Sequence, residues 1–231
     1  MKLRKTLLVT ALLLSLAALT VRLTFKSHPV VTLARKATHQ ITYFVKDENG
    51  EEQFEGLCTA TAIGPHALIT ANHCDEGKIR TIHLDYTLNT YHILYGITDT
   101  HDHTIYLIDG PALKNYIRLQ PRLPRLGERV TSYGCGGKDF PPHTYAGRVI
   151  TDDNGGDYSD IDAAWSTFAF SLPAIPGDSG ALIYGEDGNV VGEITYGSLF
   201  NDGTRAAVSF ALNFNPALYD RVYNLEIVPE E

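Results

Sequence analysis

Residues 56–74 read Gly56-Leu57-Cys58-Thr59-Ala60-Thr61-Ala62-Ile63-Gly64-Pro65-His66-Ala67-Leu68-Ile69-Thr70-Ala71-Asn72-His73-Cys74. Two runs of apolar and β-branched residues, 57–63 and 67–70, are split by Gly64-Pro65. That pattern predicts two strands joined by a tight turn. The second run stops at an imidazole beside a thiol, where a short helical piece is expected at 71–74. A strand ending in such a turn sets its histidine at the rim of a sheet, open to a cleft. A histidine so placed can serve as a base, and the rest of the chain has to supply what it would act on.

The same short-strand rhythm continues outward. Apolar runs occur at 41–45, 81–84, 91–95, 104–108, 129–133, 145–151, 163–169, 180–184, 190–195 and 206–210, with breakers such as Glu186-Asp187-Gly188-Asn189 between them. Asp47-Glu48-Asn49-Gly50 is a hairpin signal. Evenly spaced short strands predict an all-β barrel or sandwich, with one further short helix at 216–223. The composition agrees: 231 residues, 44% hydrophobic, with 13 Tyr, 20 Gly and 11 Pro, suffice for one large or two small cores. No heptad or collagen-like repeat is present.

Charge is divided sharply along the chain. No acidic residue precedes Asp47, whereas 1–46 carries eight Lys or Arg; the remaining 11 basic and 27 acidic residues give the body a net charge of -16. Such a body excludes a general nucleic-acid binder. Lys2, Arg4 and Lys5 followed by an uncharged stretch, 6–21, have the form of a secretory signal, expected over 1–26 and either cleaved or kept as an N-terminal anchor. Residues 27–40 read as a linker. An extracytoplasmic, secreted or periplasmic, location follows, with membrane contact only through an uncleaved leader. There, disulfides persist, and Cys58, Cys74 and Cys135 allow three pairings.

The partner for His73 is found in Pro176-Gly177-Asp178-Ser179-Gly180-Ala181-Leu182. A serine on a glycine turn leading into an apolar strand is a plausible exposed nucleophile, and its flanking N–H groups can converge on an oxyanion. By itself this tetrapeptide is also a good surface turn. Serine needs a neighbouring base, and His73 has the most ordered context of the nine histidines. His101 and His103 form a His-x-His pair without a complementary ligand cluster, so no metal site is expected.

Together these blocks resemble the chymotrypsin/trypsin-like serine peptidases. Residues 56–63 and 68–74 look like that family's strands ending in Ala-x-His-Cys. Residues 177–182 are similar to its nucleophile motif. Val190-Val191-Gly192-Glu193-Ile194-Thr195-Tyr196-Gly197-Ser198 resembles its substrate-lining strand. The blocks fall in family order over about 41–214. The resemblance implies two six-stranded antiparallel Greek-key barrels split near 118–128, with the peptidase domain over 41–228. It implies an endopeptidase in which Ser179 attacks, His73 is the base and Asp102, before the strand at 104–108, orients the imidazole. Asp99 and Asp109 are rivals for the acid. Gly177 and Ser179 would form the oxyanion hole, and Cys58 would bridge to Cys74, leaving Cys135 a buried thiol. Pro173, six residues before the nucleophile, would floor the primary pocket, with Thr195, Tyr196 and Gly197 as walls and an uncharged side chain as the preferred occupant. A polypeptide substrate, no cofactor and a monomer are expected.

Two departures matter. No Ile-Val-Gly-Gly-like terminus precedes the first strand, Val30-Val31-Thr32-Leu33 being a poor substitute, so Asp178 is expected to lack the amine that activates family zymogens. All three catalytic residue types are nevertheless present. Two other functions share this framework: an inactive peptide-binding module, and an esterase built on the same triad. Reaction with a serine-directed fluorophosphonate separates the first, and casein against a simple ester separates the second.

Overall fold

A computed structural model describes residues 29–46, 49–50, 52–75, 81–85, 87, 89–99, 101–138, 140–151, 167–199, 205–210, 212 and 214–224. The leader, the hairpin tip at Asp47 and Glu48 and the run at 163–166 therefore lie outside the described residues. No helix among the described residues is long and apolar enough to cross a membrane.

Six strands close the first barrel. They are β1 (Thr38–Lys46), β2 (Glu52–Gly64), β3 (Ala67–Ala71), β4 (Thr81–Leu84), β5 (Thr90–Thr98) and β6 (His103–Asp109), ordered β1-β2-β3-β6-β5-β4. All pairs are antiparallel, and β3 meets β6 with Ala67 opposite Leu107 and Ala71 opposite His103. Every residue of β3 is buried. Ile41, Leu68, Ile69, Ile82 and Ile105 fill the interior with no exposed surface, each contributing roughly 1.5–3 kcal/mol by leaving water.

The second half comprises β7 (Arg129–Gly134), β8 (His143–Thr151), β9 (Thr167–Phe170), β10 (Leu182–Gly185), β11 (Val190–Glu193), β12 (Tyr196–Leu199) and β13 (Arg205–Phe210). Their order is β11-β10-β7-β8-β9-β13-β12. The two outer pieces are separated along the chain only by Ile194 and Thr195. Ile194 N–H bonds Ala181 O at 2.8 Å on the β10 side, and Thr195 N–H bonds Val208 O at 3.0 Å on the β13 side. One bent strand thus serves both ends of the sheet, and the expected six-stranded barrel appears as seven pieces. Strand alternation divides β10 between two cores. Leu182 and Tyr184 join the first barrel's cluster, while Ile183 packs in the second with Val191, Phe170 and Ala207.

The reading of 27–40 as a linker needs correction. Helix α1 (Pro29–Ala37) occupies most of it, and β1 begins at Thr38. Val31, Ala34 and Ala37 form its buried stripe, Thr38 Oγ1 donates to Ala34 O at 2.9 Å, and Arg35 and Lys36 sit in the last turn, where the dipole favours cations. A nine-residue helix owes its stability to such packing rather than to its own sequence. The C-terminal helix α2 (Pro216–Tyr223) is capped by Asn215, which accepts from Ala217 N–H, and buries Tyr219 and Val222.

Candidate active site

β3 delivers His73. The chain leaves the barrel at Ala71 and turns through a 3-10 helix, Asn72–Cys74. Cys74 is disulfide-bonded to Cys58 on β2, with Cα atoms 6.4 Å apart, so the histidine is clamped within one residue by a covalent link. Asp102, on the turn entering β6, holds it from the other side. Its Oδ1 accepts from His73 N–H at 2.8 Å, its Oδ2 lies 2.7 Å from His73 Nδ1, and its carbonyl accepts from Asn72 N–H. Asp102 takes up φ +67°, a left-handed conformation that costs a non-glycine residue about 1 kcal/mol or more and recurs at functional sites. With Nδ1–H donating to the carboxylate, Nε2 is the basic nitrogen.

The rival acids are placed elsewhere. Asp99 accepts from the backbone of His101 and His103 and pairs with His103 Nδ1 at 2.7 Å. Asp109 is exposed at the far end of β6.

Ser179 lies on the turn before β10. Thr59 of β2 anchors this turn: its N–H bonds Ser179 O at 2.8 Å, and its hydroxyl donates to Gly177 O at 2.8 Å while accepting from Cys135 N–H. Thr70 in turn donates to Thr59 O at 2.7 Å. Gly180 is obligatory, since at φ +90° a Cβ would strike Thr59 O and Thr70 Oγ1. The serine turn is thereby pressed against the end of β3 that carries His73. Among the described residues no hydrogen bond joins Ser179 Oγ to His73, a contact that commonly tightens only with substrate bound.

Asp178 and Gly180 both spend their N–H groups within the fold, on Ile175 O and Ile194 O. The N–H groups of Gly177 and Ser179 have no acceptor among the described residues. The Asp178 side chain is buried and accepts from Gly136 N–H at 2.7 Å, from Ile175 N–H at 2.9 Å and from Tyr145. Burial still raises its pKa above the usual carboxylate value. Gly136 admits this carboxylate, because a Cβ there would lie 2.7 Å from Asp178 Oδ1. Beside it, Cys135 is a free, buried thiol, pushed up to about 12 by burial; it is not poised for reaction.

A cavity of about 290 Å³ opens beside Ser179, between Ala174-Ile175-Pro176 and Ile194 with Gly197; Arg205 completes its lining. Of the expected pocket residues, Gly197 is there. Pro173 is not: Leu172 and Ala174 point inward and Pro173 faces solvent. Thr195 is buried and outside the lining, and Tyr196 is exposed, stacked on the His73 ring with centroids 5.8 Å apart. Glu193 is fully buried and outside the cavity's lining. Its pKa is raised well above the ordinary value by burial and by the nearby Asp102 and Asp99 carboxylates. Sequence reasoning missed the parts played by Arg205, Thr59 and Tyr145: Thr59 stands in the 56–63 block, where nothing marks its hydroxyl, and the other two stand in no motif.

No family model matches the chain, and no curated protein does. Solved structures do match. The chain is similar to the inactive form of Rv3671c from M. tuberculosis H37Rv, with TM-score 0.61 and 16% identity over 87% of this chain and 93% of that one. Against the active form of the Rv3671c protease the TM-score is 0.59 at 16% identity, over 79% of each chain. The HtrA-type protease AlgW, solved with a tripeptide, gives 0.59 and 18% over 82% of this chain and 60% of that one. The fold is therefore that of the chymotrypsin-like serine peptidases.

Proposed function

We propose that the chain is an exported serine endopeptidase. The observation that carries this reading is the bidentate hold of Asp102 on His73, facing a cleft where Gly177 and Ser179 present N–H groups without acceptors. Ser179 Oγ attacks the scissile carbonyl as His73 Nε2 takes its proton. Asp102 keeps the ring in the required tautomer and stabilises the imidazolium without itself being protonated. The N–H groups of Gly177 and Ser179 receive the oxyanion. His73 then protonates the leaving amine, and a water activated by the same ring releases the acyl group. Side chains and backbone supply every group these steps use. Export is supported by the leader and by the Cys58–Cys74 bridge.

Fluorophosphonate labelling of the purified protein tests the reading. One adduct on Ser179, abolished in Ser179→Ala, together with casein cleavage, is expected. An unlabelled protein that still binds peptide would make it a binding module, and ester turnover without casein cleavage would make it an esterase.

A further inference from the structure

The expectation of an uncharged side chain in the primary pocket rested on the lack of a carboxylate at Pro173 and along the walls at 195–197; of these, Pro173 faces solvent. Among the described residues, the cavity is lined by Ser179, apolar side chains, a glycine and one charged group, Arg205. The geometry points to a pocket for an acidic side chain, Glu or Asp, immediately before the cleaved bond, read by the Arg205 guanidinium. This deepens the peptidase reading of the same cleft and rests on it.

Three observations carry it. First, Arg205 opens β13 directly opposite Leu199 on β12, two residues beyond the Gly197–Ala207 pair. The strand pairing that builds the pocket wall therefore sets the backbone of Arg205 beside it, and the exposed side chain reaches the lining. Second, charge rather than size must select, because about 290 Å³ is room enough for Glu, Gln or Leu alike, whereas a carboxylate can take a forked pair of hydrogen bonds from a guanidinium. Third, Arg205 has no carboxylate partner among the described residues. In the same half of the molecule, Arg122 is shared between Glu128 and Asp187, and Arg129 is paired with Glu186. In a body of net charge -16, a cation that lines a cavity and meets no acid among the described residues is positioned to pair with something that enters. A Lys or Arg side chain would be repelled, and Glu193, the one buried acid of the neighbouring strand, lies outside the lining.

The experiment uses the protein and three fluorogenic peptides alike except for Glu, Gln or Leu before the cleaved bond. Glu and Gln have the same shape, so the ratio of their kcat/KM isolates charge. We expect Glu over Gln by about tenfold, the usual scale for one charge-assisted hydrogen-bonded pair. The ratio should shrink at 0.5 M salt, fall to about one in Arg205→Gln and invert in Arg205→Glu. A ratio near one in the unaltered protein, or one that Arg205→Gln leaves unchanged, overturns the inference. Binding of the same peptides to Ser179→Ala, followed by calorimetry, gives the Glu-to-Gln ratio without turnover; equal affinities overturn it as well. Fluorophosphonate labelling tells a failed pocket from a failed peptidase: a labelled protein without acid preference refutes this inference alone.

Discussion

Two aspartate–histidine pairs flank the entry to β6, and they are built alike. In each, one carboxylate oxygen accepts the histidine's own backbone N–H, Asp102 at 2.8 Å and Asp99 at 3.0 Å. In each, the other oxygen lies 2.7 Å from Nδ1. What differs is access. The side chains of His73 and Asp102 are 35% and 13% exposed, those of His103 and Asp99 0% and 2%. The first ring is partly open to solvent and stacked on Tyr196; the second buries its Nε2 without a partner among the described residues. Orienting geometry alone does not make a catalytic pair. Place in the fold decides which pair can do chemistry and which can only hold strands together.

The largest expected effect separates the pairs by turnover. Asp102→Asn should lower kcat by about 10³–10⁴-fold, and Ser179→Ala or His73→Ala by at least ~10³-fold, in proteins that stay folded. Asp99→Asn should leave kcat within a few-fold. If steady-state assays found Asp99→Asn dead and Asp102→Asn normal, the comparison would be reversed.

Stability should rank them the other way. Asp99→Ala leaves a buried imidazole without its hydrogen-bond partner and is expected to cost about 2–3 kcal/mol in urea unfolding. Asp102→Ala, at a partly open site, should cost about 1 kcal/mol. Equal losses would mean that burial is not what distinguishes the pairs.

The exposed pair has a covalent support that the buried one lacks. Peptide mapping without reduction should recover Cys58 linked to Cys74, with Cys135 alkylated only after denaturation. Cys58→Ser should cost about 3 kcal/mol, the chain-entropy value for a loop of this length. Recovery of a Cys135 disulfide would contradict this assignment.

The smallest effect probes the carboxyl that both aspartates influence. Glu193 keeps its proton in the folded protein above its ordinary pKa of 4.5. As pH rises past that value the unfolded chain loses this proton first, so stability falls, at up to ~1.4 kcal/mol per unit, until the native carboxyl ionises. Glu193→Gln should therefore match the parent near pH 4 and exceed it at pH 8 by on the order of 1 kcal/mol in thermal melts. A variant less stable at pH 8 would show that Glu193 is ionised in the native state.

What could be read in advance followed the range of the signal. His73-Cys74 and Asp178-Ser179-Gly180 lie in runs whose local pattern dictates strand, turn and exposure, and they were legible. Asp102 was chosen over Asp99 from its place before an apolar strand, although both acids bind a histidine. Helix α1 was illegible because nine residues are too few to stand out from a connecting segment, although Val31, Ala34 and Ala37 recur at helical spacing. Pro173 was misplaced by counting back from the serine: the chain alternates inward at Leu172 and Ala174, so the residue between them faces out. Arg205 enters the pocket only through pairing of β12 with β13, which composition and spacing do not reveal.

The seat of Asp178 has a consequence for control. Gly136 N–H, Ile175 N–H and Tyr145 already bond its carboxylate, so the turn carrying Ser179 is held by groups of the fold itself. Any activity at Ser179 would then be restrained by what reaches the cleft rather than by a missing amine beside Asp178.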